Sequence, residues 1–433
     1  MIAFFKKRPG ASLLVTLVMF IAGGVLARQT GLTPPIAPTA LAKSAPTARK
    51  ASPPDWRDKL DLSRTAVDGR HLVQVLKDGT QINLTLDPDL QQWASGYMRD
   101  NELPYGAMFL YELDSGSTLV MAGYSAEDPK TGAEELCLTP WAPAASVFKL
   151  VTTSALLENG VPASTKVCYH GGLRGIRKHH LVDSPRLDTT CKSLSYAVAK
   201  SVNPVVAKLA LRYLNARSLR RWSRRYGFNR SIPFELATQP SKADIPSTEL
   251  ELAQVAAGFW HTEASPLHGA VIAGVAATRG TLRWPHIVAS VRHPDGTTEI
   301  PEPTDPERVM SRRSADALAE AMVMTTTIGT ARKGFISRRG RPFLPDVKVG
   351  GKTGSLSRRR PFLHYNWFVG FAPAEKPKVA LAVLLGNPAR WRIKAHTAAR
   401  NLLAQYYRSR KKPEPVADAR TPGKPLASIT PAP

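Results

Sequence analysis

The chain opens on an uncharged run from Pro9 to Ala27, rich in Leu, Val, Ile and Phe and preceded by Lys6, Lys7 and Arg8. At about 1.5 Å per residue, a helix of this length spans close to the ~30 Å hydrocarbon core of a bilayer. The flanking cations favour a cytoplasmic N-terminus, which places the remainder across the membrane. Val25-Leu26-Ala27 also suits a signal-peptidase cut, so residues 1–28 read as an anchor or as a cleavable signal. Both readings send the rest of the chain out of the cytoplasm. From 29 to 57 the pattern dissolves into Pro, Ala, Thr, Ser and Lys, an extended linker without a core, and 411–433 reads as a disordered tail.

Periodic segments fill the interval, as a short segment over 58–82 and a domain over 83–410. Val73–Leu76 and Gln81–Leu86 predict a hairpin about Asp78-Gly79. Pro88 opens a helix to about Arg99. Ala107–Leu113 and Leu119–Gly123 read as short strands joined across Asp114-Ser115-Gly116. Helical patterns follow over Val147–Leu157, Leu194–Tyr213, Leu250–Gly258, Leu267–Ala277 and Ala315–Met324. Strand patterns return at Val347–Gly351, Trp367–Ala372 and Val379–Leu385, before a last helix over about Ile393–Tyr407. Strands early, helices in the middle and strands late predict an α/β (α+β) domain. One sheet is assembled from both ends of the domain, with flanking helices and a helical insert.

Composition changes this picture little, but charge sharpens it. Hydrophobic residues make up 43% of the 433, enough for a sizeable core, and the formal net charge is +25. In a cytosolic protein such a charge points to nucleic acid. Beyond a membrane it points to anionic headgroups and acidic wall polymers, and nucleic acid is not expected as a partner. Three cysteines allow a Cys168–Cys191 disulfide with Cys137 free, a zinc site with His170, His179 and His180, or free thiols. Their spacing matches no common zinc pattern, so no metal is assigned.

Three short motifs carry the candidate chemistry. Ser146-Val147-Phe148-Lys149 opens a predicted helix, where residues three apart share a face and the hydroxyl meets the amine. A serine is a weak nucleophile until a base takes its proton, and a lysine serves only if burial and a neighbouring cation lower its pKa. Ser201-Val202-Asn203, followed by Pro204, sets a hydroxyl beside an amide. Lys352-Thr353-Gly354-Ser355 ends a predicted strand; Lys352 supplies the second cation, and Thr353 and Ser355 suit a carboxylate. Each motif alone is common. Together, and in this order, S-x-x-K, S-x-N and K-T-G form a known signature.

On these motifs the chain resembles the transpeptidase domain of penicillin-binding proteins, of the monofunctional class B kind. Leu84–Gln91, Gly106–Gly123, Ala264–Gly280, Gly329-Thr330-Ala331 and Trp367–Pro373 extend the likeness over roughly 83–408. The resemblance implies a β-lactamase/transpeptidase-like fold with an antiparallel sheet, and no cofactor. It implies Ser146 as the nucleophile and Lys149 as its base. Ser201 relays a proton with help from Lys352, and Asn203 orients the peptide. Thr353, Gly354 and Ser355 bind the substrate terminus, and the backbone N–H groups of Ser146 and Ser355 form an oxyanion hole. The implied partners are peptidoglycan stem peptides, β-lactam antibiotics, the inner membrane and cell-wall synthesis proteins. The implied place is the periplasmic side of the inner membrane.

Three features depart from the family, the first being Ala145, which stands before the nucleophile where glycine is common. Trp260 stands where a glycine is expected, and the roughly 55 residues between anchor and domain leave no room for a large pedestal. The rival activities are a D,D-carboxypeptidase and a β-lactamase or β-lactam sensor, the latter needing a water-activating base such as Glu251 or Glu263. A non-catalytic wall scaffold is a further alternative. Two basic clusters, Arg217, Arg220, Arg221, Arg224 and Arg225 around Trp222, and Arg358–Arg360, read as solvated faces or as contacts for anionic stems and headgroups.

Overall fold

The computed structural model describes residues 56–69 and 71–411. The expected anchor and nearly all of the linker and tail lie outside the described residues. Among those described, no helix is long and apolar enough to cross a membrane.

The strands that matter are Tyr105–Glu112 (β1), Thr118–Tyr124 (β2), Gly350–Arg359 (β3), Phe362–Ala372 (β4) and Val379–Asn387 (β5). The helices that matter are Pro88–Asp100 (α1), Lys149–Glu158 (α2), Leu194–Lys200 (α3), Asn203–Tyr213 (α4), Pro266–Ala277 (α5) and Ala395–Lys411 (α6). The five strands pair in the order β3-β4-β5-β1-β2, each pair antiparallel. The last strand thus closes on the first, with Val379 opposite Glu112 and Gly386 opposite Tyr105. The sheet is built from both ends of the domain.

Every residue of β5 is buried. The strand reads as a continuous apolar run because both sheet faces are covered. On one face, Leu90 and Met98 of α1 and Leu402 and Leu403 of α6 meet Phe368, Leu381 and Val383. α1 starts where Asp87 accepts a hydrogen bond from Leu90 N–H and Pro88 takes the first turn. α5 covers the other face and is buried along its whole length. A Cβ at Gly274 would collide with the Tyr111 hydroxyl, so the helix can lie this close only with glycine there.

Two local expectations differ from the structure, and a third, the hairpin, is found as part of a larger sheet. The helix predicted over 194–213 is two, α3 and α4, broken at Ser201. The strand predicted to stop at Gly351 instead begins at Gly350 and runs to Arg359, so the Lys352–Ser355 motif lies inside β3. The hairpin of His71–Val75 and Gln81–Leu84 belongs to a five-stranded sheet completed by Ala66–Asp68, Val288–Arg292 and Thr298–Glu299. Its partner strand lies some 200 residues away in sequence, beyond the reach of local pattern.

Cys168 and Cys191 face each other across a short hairpin and are disulfide-bonded. Cys137 is a buried free thiol whose pKa burial pushes up. His170, His179 and His180 gather inside the bridged loop, with His170 bonded to Asp188. Among the described residues no group of three or more such side chains is arranged to hold a metal.

Candidate active site

Ser146 sits where a two-residue strand, Ala142–Pro143, gives way to a 3-10 turn over Ala145–Phe148 and then to α2. Ala145 just before it holds a left-handed φ of 49°. The turn lifts the Ser146 hydroxyl to 2.7 Å from Lys149 Nζ. Lys149 is wholly buried, and it also contacts Asn203 Oδ1 at 2.7 Å and the Ala257 carbonyl. Those two oxygens can only accept. In its neutral form the amine has two N–H groups for them and one lone pair left to take the proton of the Ser146 hydroxyl. Burial first, and the Lys352 cation second, hold the Lys149 amine well below the usual lysine range. The group is built as a base.

The second motif depends on the break between helices. Ser201 closes α3 in the left-handed region at φ 56°, and Pro204 sits in the first turn of α4. This turns the Ser201 hydroxyl toward β3, where Lys352 Nζ donates to it at 3.1 Å. Lys352 also donates to the Thr353 carbonyl at 2.9 Å, and burial lowers its pKa to about 7. Asn203 accepts from Lys149 and donates through Nδ2 to the Leu173 carbonyl at 2.7 Å. It positions the base, which leaves one N–H of its amide for a substrate.

The third motif forms the opposite wall. β3 is the edge strand, so its outer backbone groups are open to an added peptide strand. A Cβ on Gly354 would stand 3.4 Å from the Ala144 carbonyl, which shows how closely β3 passes the nucleophile's turn. Ser355 is exposed, while Thr353 is half-buried and shares a hydrogen bond of 2.5 Å with the Thr330 hydroxyl. The three motifs thus meet, with Ser146 held by Lys149 on one side and Ser201 held by Lys352 on the other.

Several participants were not assigned from sequence. The Ala257 carbonyl orients Lys149. Gly258, with φ 78°, lies against the backbone of Ala145 and Ser146, and any Cβ there would strike the Ala145 carbonyl. The glycine that supports the nucleophile is therefore at 258, and Trp260 is exposed. Thr330 was seen only as part of a resembling segment. Of the rival bases, Glu251 accepts from the Thr248 hydroxyl, and Glu263 is exposed 3.9 Å from Lys242. In the first basic cluster Arg220 donates to the Ile245 carbonyl and Arg225 stacks on Trp222.

Comparison with known proteins agrees with this geometry. The family model described as the penicillin binding protein transpeptidase domain matches residues 106–405. The peptidoglycan D,D-transpeptidase PbpA of Mycobacterium tuberculosis is 26% identical over 350 residues, covering 72% of this chain and 68% of that protein. Stage V sporulation protein D of Bacillus subtilis is 24% identical, over 72% of this chain and 50% of its own length. Among solved structures, an imipenem acyl-enzyme complex of penicillin-binding protein A from M. tuberculosis superposes with a TM-score of 0.64 at 24% identity. That match covers 76% of this chain and 80% of that one. The D,D-transpeptidase domain of a peptidoglycan glycosyltransferase from Eggerthella lenta gives 0.64 at 23% identity, over 81% and 91%. At these identities the structures speak for the fold.

Proposed function

Because the chain belongs to the penicillin-binding protein transpeptidase family, we propose that it is a serine D,D-transpeptidase that cross-links peptidoglycan stem peptides and is acylated by β-lactams. The observation that carries this is the 2.7 Å contact between the Ser146 hydroxyl and a buried Lys149 amine whose pKa is held well below the usual lysine range.

The proton of Ser146 passes to the Lys149 lone pair as Oγ attacks the carbonyl of a D-alanyl-D-alanine end. The N–H groups of Ser146 and Ser355 take the negative charge of the tetrahedral intermediate, where losing one donor costs about 3–4 kcal/mol. Ser201, charged through Lys352, hands a proton to the departing amine. Thr353 and Ser355 hold its carboxylate, which a β-lactam carboxylate imitates. The acyl group on Ser146 then passes to an acceptor amine. The apolar run at Pro9–Ala27 supports a single-pass anchor with this chemistry outside the cytoplasm. In that setting the inner membrane and other wall-synthesis proteins are the expected neighbours.

A fluorescent penicillin tests the reading. Durable labelling of the purified chain, abolished by Ser146→Ala, is expected; transient labelling identifies a lactamase, and none at all a scaffold. Turnover of a stem pentapeptide with and without an amine acceptor then separates cross-linking from trimming.

A further inference from the structure

Lys149 gives N–H groups to Asn203 and to the Ala257 carbonyl, so whatever fixes those two oxygens also fixes the base. Asn203 opens α4 and donates through Nδ2 to the Leu173 carbonyl at 2.7 Å. Ala257 follows the helix Glu249–Ala256, in which Gln254 donates to the Ile176 carbonyl at 2.9 Å. Both carbonyls belong to the loop that the Cys168–Cys191 disulfide closes. Ile176 also packs with Ala207 of α4 and with Ala253 and Ala257. One loop thus ties together the two elements that present acceptors to Lys149.

The loop is fastened to α4 by a second buried lysine. Lys208 is 1% exposed, and its Nζ donates to the Cys168 carbonyl at 3.1 Å, to Asp183 at 3.1 Å and to Asp188 at 2.8 Å. A carbonyl and two carboxylates only accept, so this amine needs three N–H groups and is an ammonium. Its protons are all committed to the loop. Asp188 has a nearly buried side chain and also takes the Ser184 N–H at 3.0 Å and His170 Nδ1 at 2.5 Å. Arg212, one turn further along α4, reaches Asp183 at 2.6 Å.

A buried ion pair is a costly fastening, since apolar residues can hold such a seam equally well. What it adds is direction: three bonds from one nitrogen fix where the loop rests on α4. We propose that Lys208 and Asp188 are positioning residues for the general base. They lock the 168–191 loop as a strut, and the strut sets Lys149 through Asn203 and Ala257. The proposal rests on the transpeptidase reading and extends its machinery to residues outside the three motifs.

Acylation of the full chain by a fluorescent penicillin tests it, with the saturating rate and the half-saturating concentration measured separately. Lys208→Met should lower the saturating rate about ten- to hundredfold, the usual cost of a misplaced reacting group. The half-saturating concentration should stay within about twofold, because the base is disturbed and the penicillin site is not. Gln254→Leu cuts the other tie without stranding a charge and should slow the same rate about three- to tenfold. It decides the question should Lys208→Met fail to fold. Lost stability alone does not produce this split, and Leu381→Ala, a framework variant, should acylate at close to the parent rate. In an Asn203→Ala chain the Leu173 tie has nothing to hold. There Lys208→Met should cost a factor at least about threefold smaller than in the parent. An unchanged saturating rate in folded variants, an equal loss with and without Asn203, or a loss confined to half-saturation overturns the strut. Labelling of the unsubstituted chain keeps the two claims apart: intact labelling with unmoved variants sinks the strut alone, and absent labelling sinks both.

Discussion

The sandwich of β5 and α5 and the pocket of Lys149 and Lys352 are both fully buried, yet they are built on opposite terms. In the sandwich, Leu381 on one face of β5 and Leu267 and Val271 over the other have left water for apolar neighbours, and each contributes roughly 1.5–3 kcal/mol. In the pocket, two amines have left water, and burial lowers the pKa of both. The first region stabilises the fold. The second draws on that stability to hold a lysine neutral beside a serine. Natural active sites commonly trade stability for reactivity in this way.

The sharpest way to break the comparison is to swap the terms. Lys149→Met fills the same volume without the amine. Acylation by penicillin should fall about 10²–10⁴-fold, the usual contribution of a positioned base. Its thermal midpoint should hold or rise, because a buried polar group has been replaced by an apolar one. Leu381→Ala should do the reverse, costing about 2–5 kcal/mol of stability while the folded protein acylates at close to the parent rate. Calorimetric melting and stopped-flow labelling of both variants check this together. A Lys149→Met protein that melts as early as Leu381→Ala would show that the pocket is part of the core.

A gentler disturbance acts through pH. Lys149 acts as the free base, and its pKa is held well below the usual lysine range, so acylation should decline on acidification as the amine takes up a proton. Lys352 titrates at about 7 and is charged over the acid range, which adds to burial in keeping Lys149 low. Lys352→Met removes that neighbour. The residual rate should then show its acid limb at higher pH, whatever its absolute size. The same pair predicts a stability trend. Between about pH 7 and the ordinary lysine value the unfolded chain holds a proton that folded Lys352 does not. Stability therefore rises with pH across that window, and it should rise less steeply in the variant. An unmoved acid limb would mean that the two amines are not coupled.

The same contrast explains what could be read in advance. The sheet and its helices were legible because apolar runs such as Val379–Leu385, bounded by turn residues, have few other solutions. The nucleophile, its base and the second lysine were legible because their spacing is dictated by chemistry. What the sequence hid were backbone events. Ser201 lies in a stretch whose apolar pattern runs on through 194–213, and nothing local announces its left-handed turn except the Asn203-Pro204 pair just after it. Gly258 looks like an ordinary helix end until the Ala145 carbonyl is placed beside it. Val288–Arg292 completes a sheet with a strand near the start of the domain, a pairing set by the whole fold.

The smallest expected effect falls between the two regions, on Thr330. Its backbone N–H donates to the Ala199 carbonyl at the end of α3, and its hydroxyl bonds the Thr353 hydroxyl at 2.5 Å. The backbone contact belongs to the framework, and the side chain, which reaches the same Ala199 carbonyl only at 3.5 Å, belongs to the site, so Thr330→Val separates them: shape is kept and only the hydroxyl is lost. A hydrogen bond of this kind is worth roughly 0.5–1.5 kcal/mol. Thr353 would then be free to rotate away from the incoming carboxylate. Acylation should slow about two- to tenfold at low β-lactam concentration and recover at saturation, because what is lost is orientation of the bound carboxylate and not the base. A rate that stays depressed at saturation would place Thr330 nearer to the proton transfer itself. Thr330→Ser, which restores the hydroxyl, should return most of the parent rate.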